Sequence, residues 1–160
     1  LDEWASLKDP QQAAAPSQPQ ATAAAPGDIT RDRPAFTRQV RNEVFRFLRM
    51  LANKAYQQID ENFELDQMFP AARWKYTELS QAMDVYYQDH DWIRLDPAAR
   101  NQAHTQIIES EDQRDWRIEQ TLIDPAERND FQILFSLSID AARAQQAVKI
   151  VPLEIRPLLL

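Results

Sequence analysis

An α+β domain is predicted: two main helices in the N-terminal half, packed on a C-terminal antiparallel sheet of three to four strands. Three observations predict it. Phe36, Val40, Val44, Phe47, Leu48, Leu51, Ala55 and Ile59 recur at helical spacing. Trp116, Ile118, Gln120 and Leu122 alternate with Arg117, Glu119, Thr121 and Ile123, as do Phe131, Ile133, Phe135, Leu137 and Ile139 with Gln132, Leu134, Ser136 and Ser138. Period-two runs of this kind put one side-chain set on a buried face and the other towards water or a second layer. Between the two runs lie Asp124, Pro125, Asn129 and Asp130, whose ring and Asx side chains favour a turn. Helices first and a meander afterwards place the helices on one face of the sheet.

The elements follow in order. Residues 1–10, with Trp4 and Leu7 at i and i+3, read as a docking motif or the tail of a preceding domain. Residues 11–30 read as a flexible linker, because their Ala/Pro/Gln composition cannot bury enough apolar surface to offset ordering entropy. Residues 31–160 form the folded domain. The first helix is expected from Pro34, suited to a first turn, to about Ile59. The acidic DENFELDQMF then connects to a second helix over Pro70 to Asp89, with Ala72, Tyr76, Leu79, Met83 and Tyr86 on its apolar face. HTQIIES is a short strand, and a last strand is expected from Gln146 to Ile155. Pro152 within it favours a sheet edge, since proline cannot donate to a ladder.

Composition excludes several chemistries. With 160 residues, the chain holds one ordinary domain with a core. It contains no cysteine, which removes disulfide and thiolate chemistry and fits a cytoplasmic setting. Gly27 is its single glycine, so no Gly-rich phosphate loop of the Walker or dinucleotide type can be built. No apolar run approaches the roughly 18 residues a membrane span requires. From the start at Leu1 rather than methionine, a piece of a longer protein is expected.

Charge supplies the main functional candidate. Residues 31–54 hold seven basic residues against Asp32 and Glu43, a local excess of +5 on a chain of net −7. Arg38, Arg41, Arg46 and Arg49 would face outward with Phe45 among them. Planar guanidinium groups pair with phosphate, and the ring would add a stacking surface. A solvated charged face is the plain structural alternative. The second candidate is the cluster Tyr86, Tyr87, Asp89, His90 and Asp91. His90 could serve as a base oriented by a neighbouring carboxylate, but three or four converging metal ligands are not in view. Asp124 and Asp130 are read as turn residues without acid–base roles. Ser136 and Ser138 lack a histidine at usable spacing. No catalytic residue and no metal ligand is assigned.

Several segments together resemble a C-terminal domain of unknown function found on bacterial superfamily 2 DEAD/DEAH-box helicases of the actinobacterial type. They are LDEW (1–4), RPAFTRQVRNEVFR (33–46), MDVYYQDHDWI (83–93), DPAAR (96–100) and WRIEQTLIDPAERNDFQI (116–133), in the family's order. Glycines typical of the family are replaced by Ala126 and Asn129 in the turn and by Arg94 and Leu95 after the HD segment. The resemblance implies a parent enzyme that couples ATP hydrolysis to movement along RNA or DNA. ATP and Mg would be bound by preceding domains, with no cofactor in this chain. This piece would be a non-catalytic module contacting the helicase core of the same polypeptide, or RNA or single-stranded DNA, through its basic helix. An alternative comes from the architecture, which is similar to the nuclear-transport-factor-2-like fold. There Tyr86, Tyr87, His90 and Trp116, with Asp89 or Asp91, would line a small-molecule pocket, or the domain would mediate dimers.

Overall fold

The computed structural model describes residues 28–158, so the expected docking motif at residues 1–10 and most of the linker lie outside the described residues. Four helices and a four-stranded antiparallel sheet make up an α+β fold. In chain order these are α1 (Arg33–Ala52), α2 (Tyr56–Asn62), α3 (Lys75–Tyr87), a 3-10 turn (Gln102–His104), β1 (Thr105–Glu109), β2 (Asp115–Leu122), β3 (Phe131–Ser138), α4 (Ile139–Gln145) and β4 (Val151–Pro157).

Asp32 caps α1 by accepting a hydrogen bond from the Ala35 amide, with Pro34 in the first turn. Such a cap contributes about 1 kcal/mol. The buried stripe is the expected one, Phe36, Val40, Val44, Phe47, Leu48 and Leu51. The helix does not continue to Ile59, however. The Asn53 side chain donates to the Arg49 carbonyl at 2.9 Å, competing with the helical ladder. Lys54 then adopts φ 58°, a left-handed residue that ends the helix. The chain restarts as α2, which buries Ile59.

The second expected helix is shorter than its pattern. Residues 70–74 form turns, with the Ala72 amide donating to the Phe69 carbonyl at 3.2 Å, and helix begins only at Lys75. Leu79, Met83 and Tyr86 form its buried face. Ala72, assigned to the same face, lies outside the helix.

Sheet order is β1-β2-β3-β4, every pair antiparallel. The β2–β3 pairing runs from Asp115 opposite Ser138 to Leu122 opposite Phe131. Trp116, Ile118, Gln120 and Leu122 are buried, as their alternation predicts. The central β3 is covered on both faces: Leu134 is buried too, and Gln132 accepts two hydrogen bonds from Arg156 at 3.0 and 2.8 Å. Pro152 sits on edge strand β4, where a register shift falls between Leu134 and Phe135.

Between β3 and β4 lies α4, where alternation predicts only a strand end. Ser138 caps it, accepting from the Ala141 amide at 3.1 Å, and Gln146 at φ 50° closes it. The last strand therefore starts at Val151 rather than Gln146. The inner sheet face meets α1 through aromatic edges, with Phe47 5.1 Å from Phe63 and 5.2 Å from Phe135, and Phe36 5.2 Å from Trp116. Burying side chains of this size contributes about 1.5–3 kcal/mol each.

Candidate functional site

The basic stretch divides into engaged and free groups. Arg46 pairs with Glu43 at 2.9 Å, donates to Asn62 and lies over the Phe63 ring at 4.6 Å. Arg33 pairs with Glu109 at 3.1 Å, and Lys54 stands 4.4 Å from the centre of the Tyr87 ring. Arg38 and Arg49 are exposed and have no ion-pair partner among the described residues. They are eleven positions apart, so they fall on nearly the same helix stripe, roughly 16 Å from one another.

Phe45 departs from expectation. It is buried beneath the Arg41 guanidinium, 5.8 Å from its ring centre, so its face is unavailable to a base. The cause is the turn at residues 96–100, which folds over this side of α1. There Arg41 donates to the Arg100 carbonyl at 2.9 Å. Arg41, Asn42, Phe45, Pro97 and Arg100 line a cleft of about 290 Å³. Arg100 was not anticipated, because it is remote from the helix in sequence.

An exposed aromatic surface was also missed. Trp74 is 58% exposed, with the Arg73 guanidinium 5.6 Å from its ring and Tyr76 at 6.3 Å. Beside it a cleft of about 480 Å³ is lined by Lys54, Tyr56, Tyr76, Thr77 and Ser80. Burial, with Tyr87 and Asp84 nearby, pushes the Tyr56 phenol up to about 12, so it stays a neutral donor. The RWKY signal (73–76) was legible as two cations interleaved with two aromatics. It was absorbed instead into an over-long helix.

The acidic-aromatic cluster resolves differently. Asp89 and Asp91 are exposed and take no part with His90, which is buried. The carboxylates that meet His90 come from the β2–β3 turn, the pair read as turn residues alone. Nε2 of His90 lies 2.8 Å from Asp130 Oδ1, and Nδ1 lies 3.5 Å from Asp124 Oδ2. An ionised carboxylate only accepts, so Nε2–H donates to Asp130. Asp124 is fully buried and accepts from the amides of Arg128 at 3.0 Å and Asn129 at 2.8 Å. Burial pushes its carboxyl upward, but those two amides and His90 outweigh burial and hold it below the ordinary carboxylate range.

His90, Asp124 and Asp130 have the residue types of a metal site, with ligand atoms within 4.8 Å of one another. The three groups are already engaged with the protein: Asp130 accepts from His90 Nε2–H, and Asp124 accepts from two backbone amides. The cluster is a clasp joining the end of α3 to the hairpin turn. Tyr86 packs on it at 4.8 Å and donates to the Trp92 carbonyl at 2.8 Å, and burial above all pushes its phenol upward.

The six residues expected around a pocket therefore do not converge. Tyr86 and His90 are core residues, Tyr87 is half-buried beside them, and Asp89 and Asp91 face solvent. Trp116 packs against Phe36 under Arg33. None of these six lines either cleft described above.

No helix among the described residues is long and apolar enough to cross a membrane. No curated protein and no solved structure matches the chain. A family match does cover it, from the first residue into β4. The chain belongs to the family described as a domain of unknown function (DUF3516), which it matches over residues 1–155.

Proposed function

We propose that this domain is a non-catalytic accessory module of a cytoplasmic ATP-dependent helicase, contacting RNA or single-stranded DNA through the outer face of α1. The observation that supports this reading best is the arginine surface itself. Arg38 and Arg49 point into solvent on one stripe, with Arg41 and Arg100 beside them, on a chain of net charge −7. A basic strip on an acidic body attracts a polyanion locally while the remainder repels it, which favours an oriented encounter. The in-order resemblance of five segments to a helicase-tail domain supplies the parent enzyme. ATP and Mg then belong to its preceding domains, and the helicase core is the partner in the same polypeptide. Trp74 with Arg73 adds an exposed ring of the kind on which unpaired bases stack.

The test is fluorescence anisotropy of labelled single-stranded RNA and DNA against the chain over a range of salt. Three phosphate contacts predict a log–log salt slope of about −2. Replacing Arg38 and Arg49 with glutamate should weaken binding by about tenfold or more and flatten the slope. Unchanged affinity in that double variant would remove α1 from the reading, and no binding at low salt would remove nucleic acid altogether.

A further inference from the structure

Arg41 is the least settled polar group on the surface of α1. Its Nη2 donates to the Arg100 carbonyl at 2.9 Å, which fixes the guanidinium plane over Phe45. Its Nε is buried without an acceptor. Leaving a buried charged donor unpaired is costly, and native structures usually satisfy such a group with a partner, water or ion. The cleft beside it is lined by two guanidinium groups, the Asn42 amide, Phe45 and Pro97, with no carboxylate in the lining. The nearest acidic residues in sequence are occupied elsewhere. Glu43 is held by Arg46, and Asp96 is held by Arg94 through two hydrogen bonds at 2.9 and 2.7 Å.

We infer that this cleft is a phosphate-binding subsite, with Arg41 as its fixed fork, Arg100 as its exposed arm and Asn42 as a neutral donor. A tetrahedral oxyanion accepts several hydrogen bonds at once, which matches two arginines and an amide around one opening. The hydrogen bond to the Arg100 carbonyl orients Arg41 before any ligand arrives, so little side-chain entropy is lost on binding. The phosphate is either that of a nucleic-acid backbone or free inorganic phosphate. The inference rests on the proposed function for the first source, not for the site.

Two probes separate these possibilities: inorganic phosphate, and a 12-residue oligothymidylate. Arginine Nε–H signals of the full chain would be followed by NMR during each titration. Saturable shifts at Arg41 and Arg100, with Arg38 and Arg49 unmoved by inorganic phosphate, are expected. Arg100→Gln alters an exposed side chain and should fold normally, while lowering phosphate affinity about tenfold. Arg41→Lys keeps the charge and loses the fork, and should lower it similarly. Equal shifts at all four arginines, or full affinity in both variants, overturn the subsite. If phosphate titrates Arg41 and Arg100 but the oligonucleotide does not bind, the site stands and the nucleic-acid reading falls. If phosphate titrates Arg41 and Arg100 while the oligonucleotide binds identically with and without Arg100→Gln, the backbone source is wrong, the site takes free phosphate, and the nucleic-acid reading survives on Arg38 and Arg49.

Discussion

His90 and Asp130 lie forty residues apart in sequence and 2.8 Å apart in space, Nε2 to Oδ1, with Asp124 at the other ring nitrogen. This clasp fastens the segment just after α3 to the β2–β3 turn, and Phe131 packs against Tyr86 of α3 at 5.3 Å. Removing the ring takes the donor from the half-buried Asp130, the neighbouring ring from the buried Asp124, and leaves a cavity beside Tyr86 and Phe131. His90→Ala is therefore expected to cost about 2–4 kcal/mol. Asp130→Asn keeps an acceptor oxygen and should cost less than about 1 kcal/mol. Urea midpoints with unchanged slope check both, and a loss below about 0.5 kcal/mol in His90→Ala would show the clasp to be incidental.

Acid should destabilise the domain only below about pH 4. The carboxyls of Asp124, Asp28 and Asp96 are all held below their usual range of 3.8, Asp124 by backbone amides and His90 against the opposing effect of burial. Below about pH 4 the unfolded chain takes up protons that the native carboxylates refuse, so stability falls as pH drops through the native values. Above that range the contribution is fully present. Denaturation midpoints from pH 7 to pH 2 measure it, and Asp124→Asn should flatten the acid limb of the curve. A curve level down to pH 2 would contradict the assignment.

Backbone strain offers a stabilising change. Gln113 sits in the β1–β2 turn at φ 61°, exposed, its amide bonded to the Ser110 carbonyl at 3.0 Å. A side chain in this region costs roughly 1 kcal/mol that glycine avoids. Gln113→Gly is expected to raise stability by about 0.5 kcal/mol, after the greater freedom glycine gives the unfolded chain. A drop in melting temperature would refute this account.

Trp74 should separate binding from folding. It is more than half exposed, with the Arg73 guanidinium over its ring at 5.6 Å and the Tyr76 ring tilted beside it at 6.3 Å. Trp74→Ala is expected to change stability by less than about 0.5 kcal/mol. Loss of one stacked base should weaken oligonucleotide binding by about 1–3 kcal/mol. The comparison Phe47→Ala removes a ring buried against Phe63 and Phe135 and should cost about 3–5 kcal/mol of stability. A destabilised Trp74→Ala with normal binding would reverse the assignment.

Local pattern alone carried the α+β class, the apolar stripe of α1, the pairing faces of β2 and β3, and the edge position of the strand with Pro152. Each depends on side-chain periodicity or on a missing backbone donor, which neighbouring residues determine between them. The signals at Ser138 and at RWKY were present as well, but a strand run and a long helix pattern on either side concealed them.

Other features required the chain to be folded. Phe45 turned inward because a turn more than fifty positions away closes over it, and that same turn brings Arg100 to Arg41. Asp89 and Asp91, adjacent to His90, diverge from it. Asp124 and Asp130, distant in sequence, are the residues that meet it. Periodicity governs which face of an element is apolar, and that was already written in the amino-acid order. Which polar groups share a site depends on how elements cross, and only packing of the helices on the sheet decides that.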